Sequence, residues 1–141
     1  MKRIIKFRGR DLKTGEFVFG DLETRPKEDF MVIHQYHEDG SYKSQVKVDP
    51  ETVGQFTGLK DRDGKDIYEG DIIGVKAKSD DSTILHLVFF DDSEGRFKAG
   101  LNGTQDRHDF GCCGLDDERW IHSKTIISNI YDHPELLETE E

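Results

Sequence analysis

Gly54-Gln55-Phe56-Thr57-Gly58-Leu59, followed after a polar turn by Tyr68-Glu69-Gly70-Asp71-Ile72-Ile73, is the stretch whose reading decides the fold. It interleaves apolar residues with glycines at the spacing of strands and corners, with no helical period. Between its halves, Lys60-Asp61-Arg62-Asp63-Gly64-Lys65 reads as a hairpin turn, with Gly64 at the position that needs conformational freedom. The acids there invite a calcium-loop reading. Aligning Gly64 with the glycine at position six of such a loop puts Leu59 at position one and Gly70 at position twelve. Both positions must supply oxygen ligands, and neither side chain can. The segment is therefore a turn-and-strand unit: Gly58 and Gly70 suit sharp corners, and Ile67, Tyr68, Ile72 and Ile73 supply apolar filling. Asp71 is placed to cap the turn before it by accepting backbone N–H groups.

Outward from this segment the chain reads as short strands separated by turns. Towards the N-terminus, Ile5 and Phe7 alternate with Lys6 and Arg8, the period of a half-buried strand, and Glu16 to Leu22 returns after a turn at Asp11 to Gly15. Phe30 to Tyr36 and Tyr42 to Val48 are strands joined by the turn Glu38-Asp39-Gly40-Ser41. Asp49-Pro50 predicts a short helical turn with Asp49 as its cap. Towards the C-terminus, Asp71 to Ala77, Thr83 to Phe90, Gly95 to Leu101 and the segment around Ile126 and Ile127 read as strands, with one helical turn over Pro134 to Leu137. Asn102 to Glu118 has no periodicity and reads as an irregular loop. About ten short strands punctuated by glycine predict an all-β or β-dominated, barrel-like fold.

The 141 residues suit one domain or two small ones, but only 33% are apolar and 35% are charged. A chain of about 150 residues normally buries roughly 70% of its unfolded surface. That is hard to reach here with apolar groups alone, so part of the chain is expected to be loosely ordered and copies to associate and complete the core between them. The net charge of −10 repels phosphate backbones and argues against binding nucleic acid through the whole surface. Lys2, Arg3, Lys6, Arg8 and Arg10 make the first ten residues basic, which places charges on the exposed side of an edge strand. The segment Glu135 to Glu141 is acidic and reads as a solubilising end. No stretch approaches the roughly 20 apolar residues of a membrane span, and no apolar signal core follows the basic start. The chain is expected in the cytoplasm, a reducing compartment that also suits the neighbouring Cys112 and Cys113.

Catalytic and metal motifs are weak. His108, Cys112, Cys113 and His122 could in principle gather around zinc, but a structural site needs cysteines separated by two to four residues. The same residues could form a thiol–imidazole pair, yet six histidines and two cysteines give such pairs by chance. No P-loop, dinucleotide glycine pattern or Gly-x-Ser-x-Gly elbow is present. Paired acids such as Asp80-Asp81, Asp91-Asp92 and Asp116-Asp117 fall in or beside turns and are read as solvated. No cofactor is expected and no enzyme is implied. Phe17 and Phe19 on one strand face, and Phe89 and Phe90 on the two faces of another, read mostly as core, whereas Phe110 and Trp120 bracket the irregular loop and either pin it to the barrel, the commoner use of such residues, or serve as the candidate protein contacts.

Asp49-Pro50-Glu51-Thr52-Val53-Gly54-Gln55-Phe56-Thr57-Gly58-Leu59-Lys60-Asp61 and Gly64-Lys65-Asp66-Ile67-Tyr68-Glu69-Gly70-Asp71-Ile72 together resemble the YopX-like family of phage and prophage proteins. Ile5-Lys6-Phe7-Arg8, Gly20-Asp21-Leu22 and Ile130-Tyr131-Asp132-His133-Pro134-Glu135-Leu136-Leu137 fit the same pattern, while residues 78 to 119 match less distinctly. The resemblance implies a small phage-encoded chain whose C-terminal part is an SH3-type barrel. It carries over no activity and no catalytic residues. The expected organisation is an N-terminal β region over residues 1–48, a YopX-like barrel region over 49–137, and an acidic tail at 138–141. The expected role is that of a non-enzymatic accessory protein in the bacterial host cell, binding a host or phage protein and associating with itself. A nucleic-acid-binding barrel using Lys2, Arg3, Lys6 and Arg8, and a metal or thiol activity at Cys112 and Cys113, are the alternatives.

Overall fold

A computed structural model describes residues 3–76, 83–101, 112–114 and 124–137. Strands dominate these residues, in two antiparallel sheets, and the only helical pieces are two 3-10 turns. The chain divides into two compact units, Met1–Phe56 and Thr57–Glu141.

In the first unit the strands are β1 (Phe7–Arg10), β2 (Phe17–Glu23), β3 (Met31–Tyr36) and β4 (Tyr42–Val48), followed by a 3-10 turn (Pro50–Thr52) and the start of β5 (Gly54–Lys60). Their hydrogen-bonded order is β4-β3-β2-β1-β5. β1 therefore lies between β2, in the register Arg8↔Phe19 and Arg10↔Phe17, and β5, in the register Phe7↔Gln55. This corrects the edge-strand reading of the basic N-terminus. An interior strand hides its charged side chains more than an edge does, and Arg8 is only 6% exposed. Val32, Ile33, Val48 and Phe56 are the buried apolar residues of this unit.

In the second unit, the end of β5 neighbours β6 (Asp66–Tyr68). Beyond them, β7 (Asp71–Lys76), β8 (Thr83–Asp91), β9 (Arg96–Leu101), β10 (Cys112–Gly114) and β11 (Thr125–Asn129) form a sheet in the order β10-β9-β8-β7-β11. Among the described residues this sheet stays open, with β10 and β11 as its edges, and no closed barrel is found. β10 lies inside the stretch read as an irregular loop, where Cys112 and Cys113 pair with Gly100 and Ala99. Residues 102–111 and 115–118 of that stretch lie outside the described residues. Ile67, Ile73, Val88 and Ala99 form the core cluster, and Leu59, Phe97 and Ile126 pack against it. Phe89 is buried and Phe90 is 40% exposed, as strand alternation requires.

One device recurs at the turns. An aspartate opens the turn, and its Oδ1 accepts the backbone N–H two residues on: Asp11 from Lys13 at 2.8 Å, Asp39 from Ser41 at 2.8 Å, Asp49 from Glu51 at 3.0 Å, Asp61 from Asp63 at 2.9 Å, and Asp91 from Ser93 at 2.9 Å. A short carboxylate side chain imitates a backbone turn in this way, and so fixes where each strand ends. Asp61 does more. It is 3% exposed, its Oδ1 also accepts from Lys65 N at 2.9 Å, and its Oδ2 accepts from Ile126 N at 3.0 Å, tying the β5–β6 turn to β11. The oxygens that a calcium loop would need are committed to backbone.

Asp71, 2% exposed, takes the capping role the sequence assigns it: its Oδ2 accepts from Tyr68 N at 2.8 Å. Gly70 precedes it with φ +91°, and an added Cβ would lie 2.9 Å from the ring of Tyr131. Both the dihedral and the close ring require glycine there. The reading of Asp91-Asp92 as solvated turn acids is corrected for Asp91, which is 4% exposed and paired at 2.9 Å with Lys98 Nζ. Lys98 is itself buried and also touches Glu94. A carboxylate this deep persists because a cation and two hydrogen bonds from Ser93 meet it.

Asp61→Ala strips the acceptor from three part-buried backbone N–H groups, and should lower unfolding free energy by about 2 kcal/mol or more, since a hydrogen bond to a charged group contributes roughly 1.5–3 kcal/mol. Urea denaturation reads this directly. A loss below about 1 kcal/mol would show that the three bonds do not matter.

His86 on β8 is 4% exposed, and its pKa is lowered from 6.5 to about 4, first by burial and then by the charge of Lys124. The folded state keeps it neutral while the unfolded chain takes up a proton. Stability is therefore fully present above pH 6.5 and declines as pH falls towards about 4. His86→Leu should flatten that part of the stability-against-pH curve. A curve as steep as the parent's would assign the effect to other groups.

Candidate binding face

The first sheet gathers polar and aromatic side chains on one face through its register. Asp21 lies opposite His34, and Glu23 opposite Val32. His34 lies opposite Gln45, and after a register shift Tyr36 lies opposite Tyr42. Directly opposed residues share a face, and so do residues two apart on one strand. Asp21, Glu23, His34, Tyr36 and Tyr42 are thus neighbours. The register shift next to Tyr36 re-aims the end of the β3–β4 hairpin and brings its two tyrosines together.

His34 is the hub. Its Nε2 lies 2.7 Å from Glu23 Oε1 and its Nδ1 lies 2.9 Å from the hydroxyl of Tyr42. A carboxylate can only accept, so Nε2 carries the proton, and in the neutral ring Nδ1 accepts from the tyrosine. The second oxygen of Glu23 pairs with Arg25 Nε. Hydrogen bonds from His34 and then Arg25 hold the Glu23 carboxyl below the usual glutamate range. Tyr36 stacks edge-on against Tyr42 with ring centroids 5.6 Å apart, and the rings of His34 and Tyr42 lie 5.8 Å apart. Loss of surrounding water, then the charge of Asp21 and a hydrogen bond to it, raise the Tyr36 pKa and keep its hydroxyl protonated.

A carboxylate, an imidazole and a hydroxyl in series have the order of a nucleophile relay. The setting points elsewhere. Tyr36 and Tyr42 are 49% and 53% exposed, so their rings stand at the surface rather than in an enclosed site. What remains is a pair of aromatic rings with polar tips, held in place by hydrogen bonds behind them. Such rings contact a partner at little entropic cost.

The residues singled out from sequence fall differently. Lys6 Nζ sits 4.7 Å from the centre of the Phe56 ring, and the guanidinium carbons of Arg8 and Arg10 each lie 4.2 Å from the centre of Phe17. These cations lie on aromatic rings of their own unit. Arg3 is exposed, and Lys2 lies outside the described residues. Phe110, Trp120, His108 and His122 also lie outside them. Among the described residues no group of three or more His, Cys, Asp or Glu side chains could hold a metal ion. Phe19, read as core, is 48% exposed.

The tyrosine pair escaped the sequence reading, although the signal was present. Phe30 to Tyr36 and Tyr42 to Val48 flank a five-residue connection, and a hairpin so closed must bring its terminal tyrosines together.

A family model described as "YopX protein" matches residues 6–138. No curated protein matches the chain. The crystal structure of protein EF1440 from Enterococcus faecalis aligns with 97% of this chain and 100% of its own, with a TM-score of 0.56 and 23% sequence identity. At that identity the likeness shows the fold alone. No described helix is long and apolar enough to cross a membrane.

Glu23 should titrate below 4.5 in a carbon-detected NMR titration, and His34→Ala should move it back towards that value. Because the folded pKa is lowered, the clamp is intact above the ordinary glutamate range and loosens as pH falls through the lowered value. A Glu23 titration that ignores the His34 substitution would show that the contact is not held in solution.

Proposed function

We propose, from the premise that the chain belongs to the YopX family, that it is a phage or prophage accessory protein acting in the bacterial cytoplasm. It works by binding another protein and by associating with itself. The observation that carries this reading is the exposed Tyr36–Tyr42 pair, braced from behind by His34 and Glu23. Preorganised aromatic rings on a flat sheet face give a protein contact most of its energy when they enter a partner's pocket. The small number of buried apolar residues in each unit supports self-association in the same direction. An SH3-type arrangement of the second unit remains part of this proposal, supported by its short antiparallel strands and glycine corners.

Nucleic-acid binding through the N-terminal strand is less favoured, because Lys6 and Arg8 lie on aromatic rings and the net charge is −10. A metal or thiol role for Cys112 and Cys113 has only their shared strand β10 to support it.

A photo-crosslinking amino acid at position 42, in bacterial cells carrying the phage, should give discrete adducts: one at twice the chain mass and one with a different protein. The same group at Lys65, in an exposed turn, should give neither, and Tyr36→Ala should weaken both. Absence of adducts at position 42, or equal adducts at position 65, would remove the aromatic pair as the binding surface.

A further inference from the structure

A cleft of about 560 Å³ opens beside β4 in the first unit. Leu12, Phe30 and Val32 give it apolar walls; Lys13, Arg25 and Lys47 give it three cations, of which Arg25 is paired with Glu23, against one acid, Asp11, whose Oδ1 accepts from Lys13 N. Its volume is in the range of ligand sites, roughly 300–1,000 Å³. Lys47 lies 4.5 Å over the Phe30 ring, and neither Lys47 nor Lys13 has a carboxylate partner among the described residues. On a chain with a net charge of −10, unpaired cations around an apolar hollow select an anionic, partly apolar ligand. Leu12, 55% exposed, stands beside them with its side chain uncommitted.

The backbone of β4 says what form that ligand takes. β4 ends the strand order of its sheet: β3 pairs with it along its length, and on its other side a single bridge joins Val48 to Asp11. At its C-terminal end the 11–13 turn covers the free edge: Lys47 O accepts from Leu12 N at 3.1 Å, and Asp49 N donates to Arg10 O at 3.0 Å. In an antiparallel strand the outward-pointing residues alternate, so the N–H and C=O of Gln45 also point away from β3. Nothing covers them among the described residues. Gln45 and Val46 line the same cleft.

We propose that this cleft receives an extended peptide in which acidic and apolar residues alternate, added as a strand outside β4. Its backbone pairs with Gln45, its acids meet Lys13 and Lys47, and one apolar side chain fills the space over Leu12, Phe30 and Val32. Strand addition to a free edge is a general mode of peptide recognition, with affinity from the main chain and selectivity from the side chains. Lysines commonly guard sheet edges against unwanted pairing. Here Lys47 lies down on Phe30 beside an open apolar hollow, so the same charges that repel a basic strand favour an acidic one. This inference rests on the reading that the chain acts by binding protein, and it names the chemistry of the segment bound.

Fluorescence polarisation tests it with the full chain and a fluorescein-labelled eight-residue peptide alternating Glu and Val, against a control with Lys replacing Glu. The acidic peptide should bind and the basic one should bind at least tenfold more weakly. The double variant Lys13→Glu, Lys47→Glu should lose at least tenfold in affinity. Gln45→Pro removes an outward N–H and fixes φ at an edge position where proline is tolerated, so it should stay folded with a thermal midpoint near the parent's and lose binding. If that variant unfolds, an N-methylated peptide blocks the same pairing from the ligand side. Equal binding of both peptides, no polarisation change at millimolar protein, or unchanged binding by the charge-reversed variant would each overturn the proposal. Peptide binding without any adduct at position 42 in cells would instead remove the tyrosine pair and leave the cleft standing.

Discussion

The second unit depends on one buried carboxylate. Asp61 accepts hydrogen bonds from Asp63, Lys65 and Ile126, so a single side chain closes the β5–β6 turn and holds β11 to it across 65 residues of sequence. Loop-closure entropy opposes a contact so distant in sequence, and its cost grows only slowly with length. A buried, charged acceptor that meets three backbone donors helps to offset that cost, because hydrogen bonds to an ionised group are stronger than neutral ones. Asp71 and Asp91 do related work at the next corners, one accepting from Tyr68 N and the other paired with Lys98.

The acidic composition acquires a structural meaning from this. Thirty Asp and Glu residues look like a solvated surface, and many are. Yet the aspartates at 11, 39, 49, 61 and 91 each open a turn by accepting the N–H two residues ahead. A chain short of apolar residues can define its strand ends by local hydrogen bonds rather than by core packing alone. The apolar set then has only to fill two small centres, one around Ile33 and Val48, the other around Ile67, Ile73 and Val88.

Local signals made most strands legible. Period-two alternation located β1 and β2, β-branched and aromatic runs located β3, β4 and β8, and Asp49-Pro50 announced its 3-10 turn with its cap. Burial of charge was not legible. Arg8, Asp61 and Asp91 read as surface residues, because a sequence shows a charge but not the ring, backbone donor or lysine that arrives from elsewhere. The three-residue strand β6 was too short to show a period, and β10 has two cysteines and a glycine where strand formers are usual. The candidate face was half legible. The hairpin that carries Tyr36 and Tyr42 was read correctly, but the cross-strand partners of His34 appear only once the register is known. The buried acids that organise the fold and the exposed rings that suit a partner thus occupy different places in the chain. The family motif carries buried aspartates and core residues, and the face proposed for binding lies before it.

Amide hydrogen exchange of the intact protein tests that division most directly. The backbone N–H groups of Lys65 and Ile126, bonded to the Asp61 carboxylate, should be among the slowest to exchange, although Lys65 lies in an exposed polar turn. Exchange at Lys65 and Ile126 as fast as at the Gly40 turn would contradict the account, because Asp61 would then not be holding the segment on which the fold is built.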